Sequence, residues 1–358
     1  MQGDRLKERT KGILNSFLIA TLAIAGVILL VYFTKGRTAV EEGYRSPTYF
    51  AMDTTLEITI KELPEETSKD ISRRAYLRVK QLERKTSRFL AESEVSAINQ
   101  NAGKSPVKVS PETFKMLEDS LRLSELTGGA FDITVAPLME LYGFYSHDYK
   151  VPTQQEIEKT KNLIGWNFIK LEKETRKVML AKPGVQIDLG GVAKGYAVQE
   201  LIGLLKSWGV KSGLVNFGGT IGVLSLNPKT PSWTIGIRHP RGKPGEIAGT
   251  LSMKYGFISS SGDYERYFIH NKTRYFHILD PHTGRCPEGV ISASVVGPDG
   301  TVADALSTAI VVLGRAKGTQ LLSKIPKYEA VVIEKDRKIS YTDGMKKKFT
   351  LEIGERLK

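Results

Sequence analysis

The chain has 358 residues, of which 41% are hydrophobic and 25% charged, and its formal net charge is +13. That composition is globular and leaves room for one large domain or two medium ones. The single cysteine, Cys286, excludes an internal disulfide and thiolate-rich metal sites. The basic charge comes without zinc-finger spacing, an RNP-like aromatic motif or a basic heptad helix, so nucleic acid is not an expected partner.

Ile13 to Phe33 runs without a charge. About 21 residues at ~1.5 Å each span ~30 Å, the thickness of a bilayer hydrocarbon core. Arg5, Lys7, Arg9 and Lys11 precede the run and outnumber Asp4 and Glu8. A cleaved signal peptide is the rival reading. The run is long for one, no small-x-small site follows it, and no cysteine near its end offers a lipid anchor. The expectation is a basic cytoplasmic tail over 1–12, a single transmembrane signal anchor over 13–33, a polar tether over 34–48 and an exported folded body over 49–358.

Within the body, Leu56 to Ile60 alternates as a strand, and Pro64 to about Phe89 carries a helical stripe of Ile71, Ala75, Leu77, Val79 and Leu82. Ser110-Pro111 opens a helix that stops at Gly128-Gly129. Val185 to Asp188 reads as a strand, Gly190-Gly191 as a turn, and Val192 to Trp208 as a helix closed by Gly209. Further strands are expected at Leu214 to Phe217, Trp233 to Arg238, Tyr275 to Leu279, Ile291 to Val296 and Ala330 to Ile333, with a helix over Ala303 to Leu313. The mixture lacks a regular βα repeat, so the fold class is α+β, or a loosely wound α/β.

Several stretches carry chemistry. In Ile187-Asp188-Leu189-Gly190-Gly191-Val192-Ala193-Lys194-Gly195, a glycine turn leads into a helix. The helix start offers N–H groups and a positive dipole end to an anion, and Lys194 adds a charge. The spacing is neither a P-loop nor a dinucleotide fingerprint; the plain alternative is a tight turn with a surface lysine. Asp304 and Thr308 stand four apart, placing a carboxylate and a hydroxyl on one helix face, a hard oxygen pair suited to Mg²⁺. Alternatively Asp304 caps its helix and Thr308 bonds its own backbone. His277 ends an apolar strand, where it serves either as acid–base group or as a structural residue. Ser259-Ser260-Ser261-Gly262-Asp263-Tyr264-Glu265-Arg266-Tyr267 suits a loop against a ligand or, alternatively, a turn feeding a strand, and Thr127-Gly128-Gly129-Ala130-Phe131-Asp132-Ile133-Thr134-Val135-Ala136-Pro137 begins as a helix stop and is otherwise unexplained locally.

Taken in order, AMDTT (51–55), SRFLAESEVSAIN (87–99), TGGAFDITVAPL (127–138), IDLGGVAKGYAV (187–198), LVNFGGTI (214–221), SSGDYERYF (260–268), HILDPHTG (277–284) and ADALSTAIVVLG (303–314) resemble the ApbE family of FAD:protein FMN transferases. The resemblance covers residues 49 to about 335. It implies a T-fold-like α+β body that binds FAD as substrate and Mg²⁺ as cofactor. Gly191 through its carbonyl, Asp304 and Thr308 would be the metal ligands. Met52, Phe89, Ala130, Phe131, Asp132, Asp188, Lys194 and Ile278 would contact FAD, and His277 would be the catalytic residue. It further implies transfer of FMN to a Ser or Thr hydroxyl of an acceptor protein, a subunit of a membrane electron-transport complex, with AMP leaving. The rivals are an FAD pyrophosphatase, with water as nucleophile, and a non-catalytic FAD-binding protein. Two positions depart from the family pattern: Asp53 follows Met52 where Gly is usual, and Phe89 stands where Tyr or Trp is commoner.

Overall fold

The computed structural model of the chain describes residues 43–345, 350–353 and 357. The expected anchor over 13–33, the tail over 1–12 and most of the tether lie outside the described residues. Among those described, no helix is long and apolar enough to cross a membrane. The described residues include structure ahead of the expected body. Tyr44–Arg45 already pairs antiparallel with Thr59 and Ile60.

Strands Tyr49–Ala51 and Thr54–Lys61 form a hairpin whose two-residue turn is Met52-Asp53, with φ of 47° and 59°. Two left-handed residues give the turn that matches strand twist. Asp is among the few side chains that accept this region, so Asp53 suits the second turn position.

The large sheet has nine strands. Its path runs Tyr44–Arg45, Thr54–Lys61, Ser212–Phe217, Thr220–Ser225, Tyr255–Gly262, Val290–Gly297, Glu329–Glu334, Ile339–Tyr341, with Tyr49–Ala51 added beside Thr54–Lys61. Every pairing among the described residues is antiparallel, so the class is α+β and the loosely wound α/β alternative is not met. Helices Glu65–Thr86, Ala193–Ser207 and Gly300–Ser323 pack on one face. A three-stranded sheet of Trp233–Arg238, Ile247–Met253 and Thr350–Ile353 accompanies a second core cluster on the other. Val290–Gly297 is consequently buried at every position. Ala293 and Val295 enter the helix-side core, while Ile291 and Val296 enter the second cluster.

Some elements differ from the sequence reading, each for a local reason. Leu77 is 47% exposed, because the buried stripe of Glu65–Thr86 is Ile71, Ala75, Val79 and Leu82, and position 77 falls on the opposite side. Val185 to Asp188 is extended but joins no sheet. The Asn99 side chain takes the place of a ladder partner, donating to the Ile187 carbonyl at 3.0 Å and accepting its N–H at 2.8 Å, while Asp188 N–H donates to the Ile133 carbonyl at 2.8 Å. The strand expected to reach Leu279 stops at Phe276, and the late helix runs Gly300–Ser323 with a break at Gly314.

Candidate active site

The site begins at Asp188. One of its carboxylate oxygens accepts the Gly190 N–H at 2.7 Å, which shapes the glycine turn, and the other accepts the Tyr145 hydroxyl at 2.6 Å. A Cβ on Gly191 would stand 2.9 Å from the Phe131 ring, so glycine lets the turn pass beneath that aromatic. The helix Ala193–Ser207 starts without a side-chain cap. Its Gly195 N–H, one of the donors that a helix start leaves unpaired, donates to Asp304 Oδ2 of the late helix at 3.0 Å. The two helices touch there: a Cβ on Gly195 would lie 2.3 Å from the Gly300 carbonyl oxygen and 2.8 Å from Asp304 Cβ.

Asp304 is buried and also accepts the Ser259 hydroxyl at 2.8 Å. It does not cap its helix; Asp299 does, accepting the Val302 N–H at 3.0 Å. Thr308 Oγ1 lies 3.1 Å from Ser261 Oγ and 3.5 Å from its own helix carbonyl at Asp304. Lys194 Nζ donates to the Gly190 carbonyl at 3.1 Å and stands 3.8 Å from Asp304 Oδ2. A lysine ammonium thus bridges a turn carbonyl and the helix carboxylate, the two kinds of oxygen that a hard cation would take.

His277 follows the strand Thr273–Phe276, and its N–H donates to the Arg266 carbonyl at 3.0 Å. The ring keeps some surface open to the cleft, while Nδ1 is buried without a partner among the described residues. Burial, reinforced by the positive charges of Arg266 and Lys194, lowers its pKa to about 3. The imidazole is therefore neutral near pH 7. Asp132 is committed to local structure. Its carboxylate takes the Thr134 N–H and hydroxyl at 2.8 and 2.7 Å and the Trp166 N–H at 2.8 Å. Burial raises its pKa above the usual carboxylate value, against the lowering effect of those bonds.

These groups surround a cleft of about 140 Å³. Ala130, Phe131, Asp132, Asp188, Gly191, Lys194, His277, Ile278, Asp304 and Thr308 all line it. Met52 and Phe89 are not in its lining. The Met52 N–H donates to Glu83 at 2.7 Å, which fixes the hairpin turn to the helix that leads towards Phe89. Phe89 is 62% exposed and meets Tyr145 edge-on at 5.5 Å, a relay of one aromatic from Asp188. Arg266 also lines the cleft, and among the described residues its guanidinium makes no hydrogen bond or ion pair. Sequence reasoning placed Arg266 in a motif without giving it a role, and it gave none to Tyr145. Ser259 and Ser261 read as loop residues but end the strand Tyr255–Gly262. Their spacing of two, which sends both hydroxyls to the late helix, was the available signal.

The site could hold a hard divalent ion. Its donors are one buried carboxylate, the hydroxyls of Thr308 and Ser261 and the carbonyls of the glycine turn, with no cluster of three His, Cys, Asp or Glu among the described residues. One carboxylate is few for a metal held by protein alone and is typical of Mg²⁺ that takes its other ligands from phosphate and water.

An antiparallel α+β body thus sets a helix start against a carboxylate–hydroxyl pair in one cleft. The model described as the ApbE family matches residues 52–332, and the chain belongs to that family. It is 31% identical over 261 residues to an FAD:protein FMN transferase of Klebsiella pneumoniae, covering 73% of this chain and 81% of the relative. It is 32% identical over 268 residues to one of Treponema pallidum, covering 71% and 74%. Among solved structures, the ApbE protein of Thermotoga maritima superposes with a TM-score of 0.77 at 32% identity, covering 88% of this chain and all of the other. The flavin transferase ApbE of Vibrio cholerae gives 0.74 at 26%, covering 85% and 99%.

Proposed function

We propose that this chain is an FAD:protein FMN transferase that moves FMN from FAD to a Ser or Thr hydroxyl of an acceptor protein, releasing AMP. The carrying observation is the meeting of two segments distant in sequence, the glycine turn and the late helix, through the Gly195–Asp304 bond at 3.0 Å, with His277 lining the same cleft. The relatives named above are FAD:protein FMN transferases, which supports the reaction class.

The cleft would receive the diphosphate of FAD, and the exposed Phe89, linked to Asp188 through Tyr145, offers a stacking face outside the lining. Lys194 and Arg266 receive the anion. Asp304, Thr308 and the glycine-turn carbonyls would hold Mg²⁺, which when bound neutralises charge on the phosphates. The acceptor oxygen attacks the FMN-side phosphorus, the bond from that phosphorus to the bridging oxygen breaks, and the bridging oxygen leaves with AMP. His277, neutral near pH 7, takes the hydroxyl proton. A bound diphosphate draws the fields of Arg266 and Lys194 onto itself, which raises the proton affinity of His277 as the substrate arrives.

One assay tests the reading. Full-length protein is mixed with FAD, Mg²⁺ and a protein bearing a flavinylation site, and flavin fluorescence is followed on a denaturing gel. Label on the acceptor with AMP released is the expected result. FMN and AMP without label would make it a pyrophosphatase, and intact FAD would make it a binding protein. We further propose that residues 13–33 anchor the chain as a single-pass membrane protein with the body outside the cytoplasm, supported by the uncharged run and its basic flank. The acceptor would then be a membrane electron-transport subunit. A product recovered from the soluble phase and lacking its first residues, to about 35, would refute the anchor.

A further inference from the structure

Residues 266–277 read RYFIHNKTRYFH, with Arg266, Lys272 and Arg274 and no aspartate or glutamate. Tyr267–His270 and Thr273–Phe276 pair antiparallel around Asn271 and Lys272, whose φ values are 48° and 62°. Among the described residues neither strand pairs with a third, so the ribbon keeps open edges outside the large sheet. Its faces differ. Phe268 stacks on Tyr275 at 5.2 Å and on Tyr149 at 5.0 Å, which ties one face to the body. On the other, Tyr267 and Ile269 are 40% and 63% exposed, and the Arg274 guanidinium lies 3.7 Å over the Tyr267 ring. The ribbon's two feet are Arg266 and His277, both in the cleft wall.

We infer that the exposed face of this ribbon, Tyr267, Ile269 and Arg274 with Lys272 at the tip, docks the acceptor protein through an extended acidic segment that carries the acceptor hydroxyl. The inference rests on the transferase reading. A hydroxyl of a macromolecule reaches His277 only by passing whatever flanks the cleft, and the ribbon rises from His277 itself. Exposed aromatic and aliphatic side chains beside an arginine match the composition of interface centres. The absence of any acid over the whole ribbon selects an acidic partner. The open edges can take an extended chain by strand addition. A second copy of the same ribbon would bring three like cations and be repelled.

The test uses full-length protein and two fluorescent peptides of about twelve residues, each with a central Thr among Leu and Val, one flanked by Asp and Glu and the other by Lys. Anisotropy should show the acidic peptide binding roughly tenfold or more tighter than the lysine peptide. Ile269→Asp combined with Lys272→Glu should remove that preference while FAD binding, read by flavin fluorescence, stays unchanged. Absence of acidic-peptide binding, or equal binding to wild type and variant, would overturn the assignment. So would a variant that loses binding to phosphatidylglycerol vesicles but keeps the peptide, since the ribbon would then be a membrane contact. A wild type that binds no FAD would break the transferase reading instead; one that binds FAD and ignores the peptide breaks only the docking.

Discussion

The two walls of the cleft are built differently. On the inner wall, where the glycine turn meets the late helix, the polar groups are paired: Asp304 serves Gly195 and Ser259, and Lys194 sits between Gly190 and Asp304. On the outer wall, His277 Nδ1 is buried without a partner and the Arg266 guanidinium is unpaired among the described residues. A buried polar atom without a partner costs stability, which applies to His277 Nδ1; Arg266 is half-buried. The inner wall is internally paired, and on the proposed function substrate atoms would complete the outer one.

That contrast can be broken by substitution. The largest effect is expected on the inner wall. Asp304→Asn keeps the side chain's size and an oxygen acceptor but removes the charge, so Mg²⁺-stimulated turnover should fall by about three orders of magnitude or more with the fold retained. Steady-state rates with circular dichroism check this, and near-normal activity would remove Asp304 from the metal site. On the outer wall, His277→Ala should lower kcat by about 10²–10⁴-fold and leave the FAD dissociation constant near wild type. A loss confined to FAD affinity would make His277 a binding residue.

Smaller effects sharpen the same division. Gly195→Ala forces a methyl against the Gly300 carbonyl and should destabilise the body by about 1–3 kcal/mol in denaturant titrations. Unchanged stability would mean that the helices part easily at this contact. The histidine offers a pH signature. Its folded pKa of about 3 lies below the unfolded value of 6.5, so the unfolded chain binds the extra proton between those limits. The stability contribution of the neutral ring is therefore complete above pH 6.5 and is lost progressively as pH falls towards 3. Melting temperature should drop less between pH 7 and pH 5 in His277→Asn than in wild type; parallel curves would place the ring in water.

Much of the inner wall was legible in the chain because its features are local. Asp304 and Thr308 share a helix face by spacing alone, and Gly190-Gly191 before Lys194 announces a turn into a helix. What joins them was not legible. The need for glycine at 195 arises from the Gly300 carbonyl a hundred residues away, and Ser259 meets Asp304 only when a strand packs under the late helix. Arg266 and Tyr145 acquire their roles through position in space. The fold was read in the same way: Trp233–Arg238 matched to the residue, whereas Val185 to Asp188 kept a strand's extension without its partner, since side-chain pairing by Asn99 leaves no mark on periodicity.

The central claim, one ion and the FAD diphosphate seated together between the glycine turn and the late helix, is tested most directly by ³¹P NMR of FAD bound to the full-length protein as Mn²⁺ is added in place of Mg²⁺. Both diphosphate resonances should broaden in the wild type, with the broadening abolished in Asp304→Asn. Broadening that survives the substitution, or its absence from the wild type, would contradict the claim.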